Sequence, residues 1–575
     1  MSGREPAAER SLWPAFVIVA LQWLVTFGPG WVAPATFLQG IGMMTGPGLG
    51  LLSLYIWWFF RSRAPRFDRV LGVLLPTVLL VLAGFVLHPS TPMFFYVYGL
   101  PILCLVFVAS IFLTRGRPAR TRRLAFAAAM VLATGGWGLL RSEGVDGDMG
   151  AQFAWRWQQT SEQRLLAAGT IGRELLPGPA GGGPDTAAEA WPGFRGPARD
   201  SVVRGLRVAT DWSAAPPQKL WRRPVGPGWG SFAIAGELLY TQEQHGEDEV
   251  VTAYHRATGE PVWQHRDKAR FWEAMAGTGP RATPSVRGGR LFAVGATGIL
   301  NALDAATGRR IWSRNIGEDS GGPVPEWGFS SSPLLVDDLV VVVTGAPEDK
   351  GVVAYDLETG EPRWYGPAGP LTYSSAHLAT LGGVRQLLVL SNDGATALKP
   401  EDGGVLWQHD WLLPGGARVV QPAITDAGEV LIGTGFGVGL RSISVENRGG
   451  QWQTAERWTS KGLKPYYNDI VLHRGHVYGF DGRIMACVRL EDGQRVWKGG
   501  RYGSGQALLL PEQDLLLVVS DRGDVALVQA DPQAFKELAR IDAIEGKTWN
   551  HPVLVDGVLY VRNGEEMAAL RLPSV

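Results

Sequence analysis

Two patterns of apolar positions divide the chain. Up to about residue 140 the apolar residues stand in unbroken blocks, at about 12–29, 40–60, 70–87, 93–113 and 124–140. Each block is close to the ~20 residues that cross a bilayer as a helix, the last being the shortest. They lack the polar face of a surface helix, and four more blocks follow the first, which is unlike a cleaved leader. The pattern predicts an all-α transmembrane bundle of five helices over residues 1–141. From residue 191 onward the blocks give way to short apolar runs punctuated by turn residues at regular intervals, the pattern of short strands.

Within that second half one stretch keeps returning. Asn301-Ala302-Leu303-Asp304 leads through Thr307-Gly308 to Trp312. Ala253-Tyr254 leads through Thr258-Gly259 to Trp263, and Ala354-Tyr355-Asp356 through Thr359-Gly360 to Trp364. Ala397-Leu398 leads through Asp402-Gly403 to Trp407, and Cys487-Val488 through Asp492-Gly493 to Trp497. In all five copies the small residue stands ten positions before the Trp. A fixed period of this kind marks a repeat architecture. Locally it is a β-hairpin, with Gly at the positive-φ position of the turn. The small residue leaves a gap, which a Trp from a neighbouring unit is expected to fill.

The repeat resembles the docking motif of pyrroloquinoline-quinone (PQQ) type β-propellers, a family that includes quinoprotein dehydrogenases and the non-enzymatic BamB propeller of outer-membrane assembly. The likeness covers roughly residues 191–575 and implies the fold more sharply than any activity, because both branches share the motif. Trp221 precedes the clear copies, and Trp458 ends a degenerate one with Asn447-Arg448-Gly449-Gly450 as its turn. Two further units follow, at 514–539 and 551–572, the last ending before any Trp strand. Lys219-Leu220-Trp221 can supply that missing strand. The count is therefore an all-β eight-bladed PQQ-like propeller closed by its own two ends, which removes open sheet edges. Between the halves, residues 142–190 form a connector. It carries Trp155-Arg156-Trp157, suited either to a membrane interface or to packing on the propeller. A short helix is expected near Thr160, with Gln163 as its capping-box partner, and then a Gly/Pro-rich tether over 174–190.

Charge adds orientation. The segments between the second and third blocks and between the fourth and fifth carry Arg61, Arg63, Arg66, Arg69, Arg115, Arg117, Arg120, Arg122 and Arg123, whereas residues 29–39 and 88–92 hold no Lys, Arg, Asp or Glu. The positive-inside rule then places the N-terminus in the cytoplasm. Five crossings would deliver the propeller to the periplasm of a bacterial inner membrane. No acid or base interrupts the blocks apart from His88 at an end, so anchoring is favoured over transport. The formal net charge of +0 gives no electrostatic footprint for nucleic acid. Cys104 and Cys487, the only two cysteines, lie in an apolar block and a repeat strand and make no disulfide framework.

Chemistry in a propeller is expected where the innermost strands open onto the central channel. The residues leading into these strands supply Trp229, Trp327, Tyr373 and Trp549 as flat contacts, and Arg281, Gln421, Asn468, Gln506 and Asn550 as hydrogen-bonding groups, a lining suited to a flat polar ligand. Weaker signals do not survive: Gly433, Gly435, Gly437 and Gly439 alternate within a strand with no helix to follow, His245 with Glu247, Asp248 and Glu249 reads as a hairpin tip, and His473 with His476 has no third ligand.

Two functions follow. The first is a membrane-anchored binding or scaffold propeller for a periplasmic protein partner or small ligand, with the lipid bilayer as its other contact. The second is implied by the resemblance: a PQQ- and calcium-dependent dehydrogenase of alcohols or sugars, passing electrons to membrane quinone, with Asp469 as base. Membrane-bound quinoprotein glucose dehydrogenases share the layout of helices before an eight-bladed propeller. Against it stand the absence of a vicinal Cys pair, compact blades without long insertions, and no acidic cluster arranged for calcium. The binding reading is preferred.

Overall fold

A computed structural model describes residues 12–32, 36–146, 150–167, 190–370 and 372–575. The chain divides into two compact units, one of residues Met1–Gln158 with Ala274–Gly277, the other of Gln159–Glu273 with Thr278–Val575.

The first unit is helical. Among the described residues four helices are long and apolar enough to cross a membrane: α1 (Trp13–Val32), α2 (Phe37–Arg61, its last turn a π-helix), α3 (Arg66–Val86) and α4 (Pro92–Leu113). The expectation of five such spans is corrected here. The fifth helix, α5 (Ala119–Trp137), forms, but it starts five residues ahead of its apolar block and so takes in Arg120, Arg122 and Arg123, which leaves the apolar part short of the ~20 residues a span needs. It lies along α3. Arg122 and Arg123 grip the Asp68 carboxylate at 2.7 and 2.6 Å at the start of α3, while at the other end Arg156 donates to the carbonyls of Val86 and Gly138 at 3.1 and 3.5 Å. The Arg-rich segments thus sit together at one end, and the chain leaves from the opposite end through a hairpin of Leu140–Val145 and Ala151–Trp155. Helices α1 and α2 approach closely because Gly42, Gly46 and Gly50 line the contact, a Cβ at Gly46 standing 2.3 Å from Thr26 Oγ1.

The second unit opens with the short helix α6 (Ser161–Ala167), capped as expected: the Thr160 N–H donates to Gln163 Oε1 at 2.9 Å and the Gln163 N–H to Thr160 Oγ1 at 3.0 Å. The tether at 174–190 lies, Ala190 excepted, outside the described residues. Eight four-stranded antiparallel sheets follow as blades. In chain order they occupy residues 233–267, 285–315, 334–366, 377–410, 423–460, 471–501, 506–542 and 553–571, the last completed by Gln218–Pro224. That strand pairs antiparallel with Glu566–Arg571 and sets Trp221 opposite Ala569, closing the ring through its two ends.

The registers explain the repeat and correct one detail of it. In blades 1 to 4 and 6 the small residue is the direct cross-strand partner of its own Trp, as in Ala302↔Trp312 and Cys487↔Trp497. It makes room within the blade, while the neighbouring blade contributes a glycine. Trp263, Trp312, Trp364 and Trp458 lie over the turn glycines Gly308, Gly360, Gly403 and Gly493 of the next blade, where an added Cβ would stand 2.3 to 2.5 Å from the indole. Each indole N–H donates to the carbonyl three residues before that turn position, namely Ala305, Leu357, Pro400 and Leu490, at 2.9 to 3.1 Å. Trp221 does the same across the closure, to Arg256 O at 3.0 Å. Trp407 does not, because blade 5 has replaced the Gly turn; its N–H goes to Gln386 Oε1 of its own blade at 2.6 Å. Cys104 and Cys487 are both free and buried.

Candidate functional site

The inner strands create a feature the sequence motif does not contain. Two residues before each inner strand stand Ser231, Thr283, Ser332, Ser375, Gln421, Asp469, Ser504 and His551. The first six are linked from blade to blade: the backbone N–H of one donates to the side-chain oxygen of the next. Ser231 donates to Thr283 Oγ1 at 2.8 Å, Thr283 to Ser332 Oγ at 3.0 Å, and Ser332 to Ser375 Oγ at 2.9 Å. Ser375 donates to the Gln421 side-chain carbonyl at 3.1 Å, and Gln421 to Asp469 Oδ1 at 2.7 Å. These groups are buried at the channel wall, and the belt satisfies backbone donors that no sheet ladder reaches.

A single segment fills the channel at this level. Trp191-Pro192-Gly193-Phe194-Arg195-Gly196-Pro197-Ala198-Arg199-Asp200-Ser201 begins by pairing Trp191 with Ile234. It is drawn through tight turns with Arg195, Arg199 and Ser201 all at positive φ (65°, 53° and 61°), a backbone that non-glycine residues adopt only when their surroundings hold them there. Arg195 donates to Ser201 Oγ at 2.8 Å and Ile470 O at 3.1 Å, and its Nε lies 3.3 Å from Asp469 Oδ2. Arg199 donates to Pro333 O and Ser332 O at 3.0 and 3.2 Å. Ser201 Oγ meets His551 Nε2 at 2.8 Å. Burial, then the two guanidinium charges, push His377 down to about 3; burial and Arg195 do the same to His551. Both imidazoles are neutral at physiological pH. Burial lowers Arg199 to about 10, and raises Asp469 against the opposing pull of Arg195 and the Gln421 N–H.

Above this plug the mouth is aromatic. Trp229 and Trp549 pack at 5.1 Å, Tyr467 packs on Trp549 at 5.1 Å, and Tyr466 and Phe436 continue the arc at 5.5 and 4.9 Å. Lys547 Nζ stands 5.1 and 4.7 Å from the Trp229 and Trp549 ring centres, within cation–π range. A second pair, Trp327 with Tyr373 at 4.9 Å, holds Arg281, which donates to Trp327 O at 3.3 Å and to Glu273 at 3.0 Å. Burial lowers Arg281 to about 10 in spite of Glu273 and Glu249.

The structure sorts the expected site residues accordingly. Trp229, Trp549, Trp327, Tyr373 and Arg281 share the mouth. Gln421 and Asn550 are inter-blade staples, Asn550 Nδ2 donating to Gly228 O and Gly230 O at 3.0 and 2.7 Å. Gln506 Nε2 donates to Trp549 O at 3.1 Å, and Asn468 Oδ1 accepts the Tyr466 N–H at 3.0 Å. Asp469 is a belt member and the counter-ion of Arg195. A calcium-bound quinone needs oxygen donors with open coordination. Here the two Asp469 oxygens are taken by Gln421 and Arg195, Glu273 is held by Arg281, and no group of three or more His, Cys, Asp or Glu among the described residues could hold a metal ion. The residues present do not fit that group. The sequence singled out the belt members Gln421 and Asp469 for other roles, but not Arg199 or the linkage of the belt from blade to blade; the available signal was the position two residues before every inner strand. The other weak signals resolve as structure. His245 is buried against Glu243 at 2.8 Å, and His473 pairs with Asp514 at 2.7 Å while His476 turns to Arg474 O at 2.9 Å.

Comparison with known proteins agrees with the repeat. A family model described as outer membrane protein assembly factor BamB matches residues 247–499. The BamB of Shewanella oneidensis is 25% identical over 388 residues, 62% of this chain and 89% of that protein. The BamB of Burkholderia pseudomallei is 27% identical over 190 residues, 27% of this chain and 49% of that protein. Among solved structures, BamB from Moraxella catarrhalis aligns at 14% identity and a TM-score of 0.45, over 62% of this chain and 98% of its own. The quinohemoprotein alcohol dehydrogenase ADHIIG of Pseudomonas putida HK5 aligns at 14% identity and a TM-score of 0.49, over 68% and 81%.

Proposed function

From an eight-bladed propeller of the PQQ-like, BamB-related repeat type that follows a set of apolar helices, we propose a membrane-anchored periplasmic binding or scaffold module whose specificity lies at the channel mouth. The observation that carries this reading is the arc of Trp229, Trp549 and Tyr467 under Lys547, set above a channel occupied by Arg195 and Arg199. Half-buried aromatic and cationic groups on rigid strand ends suit recognition. The carboxylates that oxidation chemistry would require are engaged elsewhere. The curated relatives are outer membrane protein assembly factors, so a periplasmic protein is the partner of first choice.

The ion pairs of the helical unit support the proposed orientation. Asp68 with Arg122 and Arg123 gathers the Arg-rich segments at one end, which the positive-inside rule assigns to the cytoplasm. Helix α5, though short in apolar length, runs beside α3 from that end to the opposite one, and this fifth passage lets the chain depart from the other end. An alkaline phosphatase fused after Val145 is expected to be active and a cytoplasmic fluorophore at that site dark; the reverse pattern overturns the orientation. For the mouth, a photo-crosslinker at the exposed Glu326 is expected to capture a periplasmic protein in the parent chain. Capture should drop with Trp327→Ala and Trp549→Ala combined, at unchanged melting. Capture that ignores both substitutions overturns the binding reading, and saturable binding of PQQ with calcium would replace it with the dehydrogenase.

A further inference from the structure

The geometry points to the segment Trp155-Arg156-Trp157 as a membrane-interface anchor that seats in the phospholipid headgroup zone. The two indoles stack face to face, 5.1 Å apart at an interplanar angle of 10°, yet remain 46% and 67% exposed. A stacked Trp pair left open to its surroundings keeps a large apolar area without a protein partner. Its height is set from within the helical unit. Phe153, two residues before the pair, is held edge-on by Phe94, Tyr98 and Trp137 at 5.8, 6.4 and 5.5 Å. Arg156, between the two indoles, donates to the terminal carbonyls of α3 and α5 through Val86 O and Gly138 O, and its charge complements the negative ends of both helix dipoles. Ser142 N–H donates to Ser90 Oγ at 2.9 Å and fastens the other strand of the hairpin. The indoles therefore stand level with the ends of the apolar helices.

The occupant is argued from continuity. The outward face of α3 stays apolar to its last turn, Phe85 and Val86 being 85% and 52% exposed, so a bilayer covering that face reaches the hairpin directly. Residues 29–32, 36–39 and 88–92 at this end carry no Lys, Arg, Asp or Glu. Amphipathic indoles beside a guanidinium are the groups that settle where hydrocarbon meets headgroup. A second protein would need apolar surface matched to one stacked pair, whereas the lipid interface accepts it without shape matching.

The inference rests on α1 to α4 lying in a bilayer, and the experiment separates the two. In the full chain, with Cys104 and Cys487 buried, a nitroxide is placed at Trp157→Cys, and in parallel chains at Trp155→Cys, at Leu74→Cys on the exposed face of α3, and at Gly449→Cys on the hairpin tip of blade 5. After reconstitution in phosphatidylcholine vesicles, collision with oxygen and with a water-soluble nickel chelate is read by power saturation. Labels at 155 and 157 are expected to show nickel access several-fold below that at 449 and above that at 74, with oxygen access in the reverse order. Nickel access equal to that at 449 overturns the inference in favour of a solvent-facing pair. Low access to both reagents overturns it in favour of a protein cover. A label at 74 as open to nickel as that at 449 removes the membrane anchor itself, and this inference with it.

Discussion

Trp312 tests the lock between blades. Its indole is buried to 9% exposure, faces Ala302 across its own hairpin, lies over Gly360 of blade 3 and donates to Leu357 O at 3.1 Å. Trp312→Ala removes that ring from a well-packed site, which costs about 3–5 kcal/mol, and leaves the Leu357 carbonyl without its donor, which accounts for roughly 1 kcal/mol of that loss. Gly360→Ala acts on the same contact from the other side: its φ is 73° and a Cβ would stand 2.5 Å from the indole. Strain and clash together should cost on the order of 1–3 kcal/mol. The combined variant is the decisive one. With the indole gone the Cβ has room, so the double loss should fall short of the sum by at least ~1 kcal/mol. The assay is chemical unfolding of the full chain in detergent, read on the propeller transition by circular dichroism. Costs that add to within about 0.5 kcal/mol, or a Trp312→Ala midpoint equal to that of the parent, would refute the lock.

Three further outcomes follow from the same contacts. Arg195→Met leaves Asp469 buried without its counter-ion and should lower stability by about 3–5 kcal/mol, while Arg195→Met with Asp469→Asn should recover much of it; a neutral Arg195→Met chain would show that the plug carries no weight. Burial raises Glu249 from 4.5 to about 7 although Ala296 and Thr297 donate to it. The folded state therefore keeps a proton that the unfolded chain releases, and stability falls by roughly 3 kcal/mol as pH rises from about 4.5 to about 7; Glu249→Gln should flatten that part of the stability–pH profile, and an unchanged slope would contradict the assignment. Arg223→Pro removes the backbone N–H of a residue paired with Met567 in the closing strand Gln218–Pro224 and should open the ring at blade 8, detected as concentration-dependent association; a monomer of parent stability would speak against closure there.

The sequence by itself determined what is local and repeated. Thr-Gly turns, small residues and Trp at a constant spacing recur because each blade solves the same hairpin problem with the same residues, so eight blades and the closing strand were countable. Long apolar blocks declared helices for the same reason, since spanning length is a property of one segment. The fifth helix departed from expectation because its start is set by where the backbone can begin to coil, Pro118 preceding it, and not by where the apolar residues begin.

Tertiary structure alone decided the rest. The belt uses Ser, Thr, Gln and Asp at one position, since any side-chain oxygen that reaches the next blade will serve, and so no residue motif records it. Asp469 resembles a catalytic base in a linear reading and becomes a counter-ion only when Arg195, which also donates to Ile470 O at 3.1 Å, is brought to it across the channel. The glycine under Trp221, Trp263, Trp312, Trp364 and Trp458 belongs to the following blade, so the pairing is visible only once adjacent sheets are packed. Trp155 and Trp157 were compatible with two surroundings until the fold left them stacked and exposed at the ends of α3 and α5. In each case the deciding contact joins residues distant in the chain, whose proximity is a consequence of ring closure or helix packing and leaves no periodic trace in the sequence.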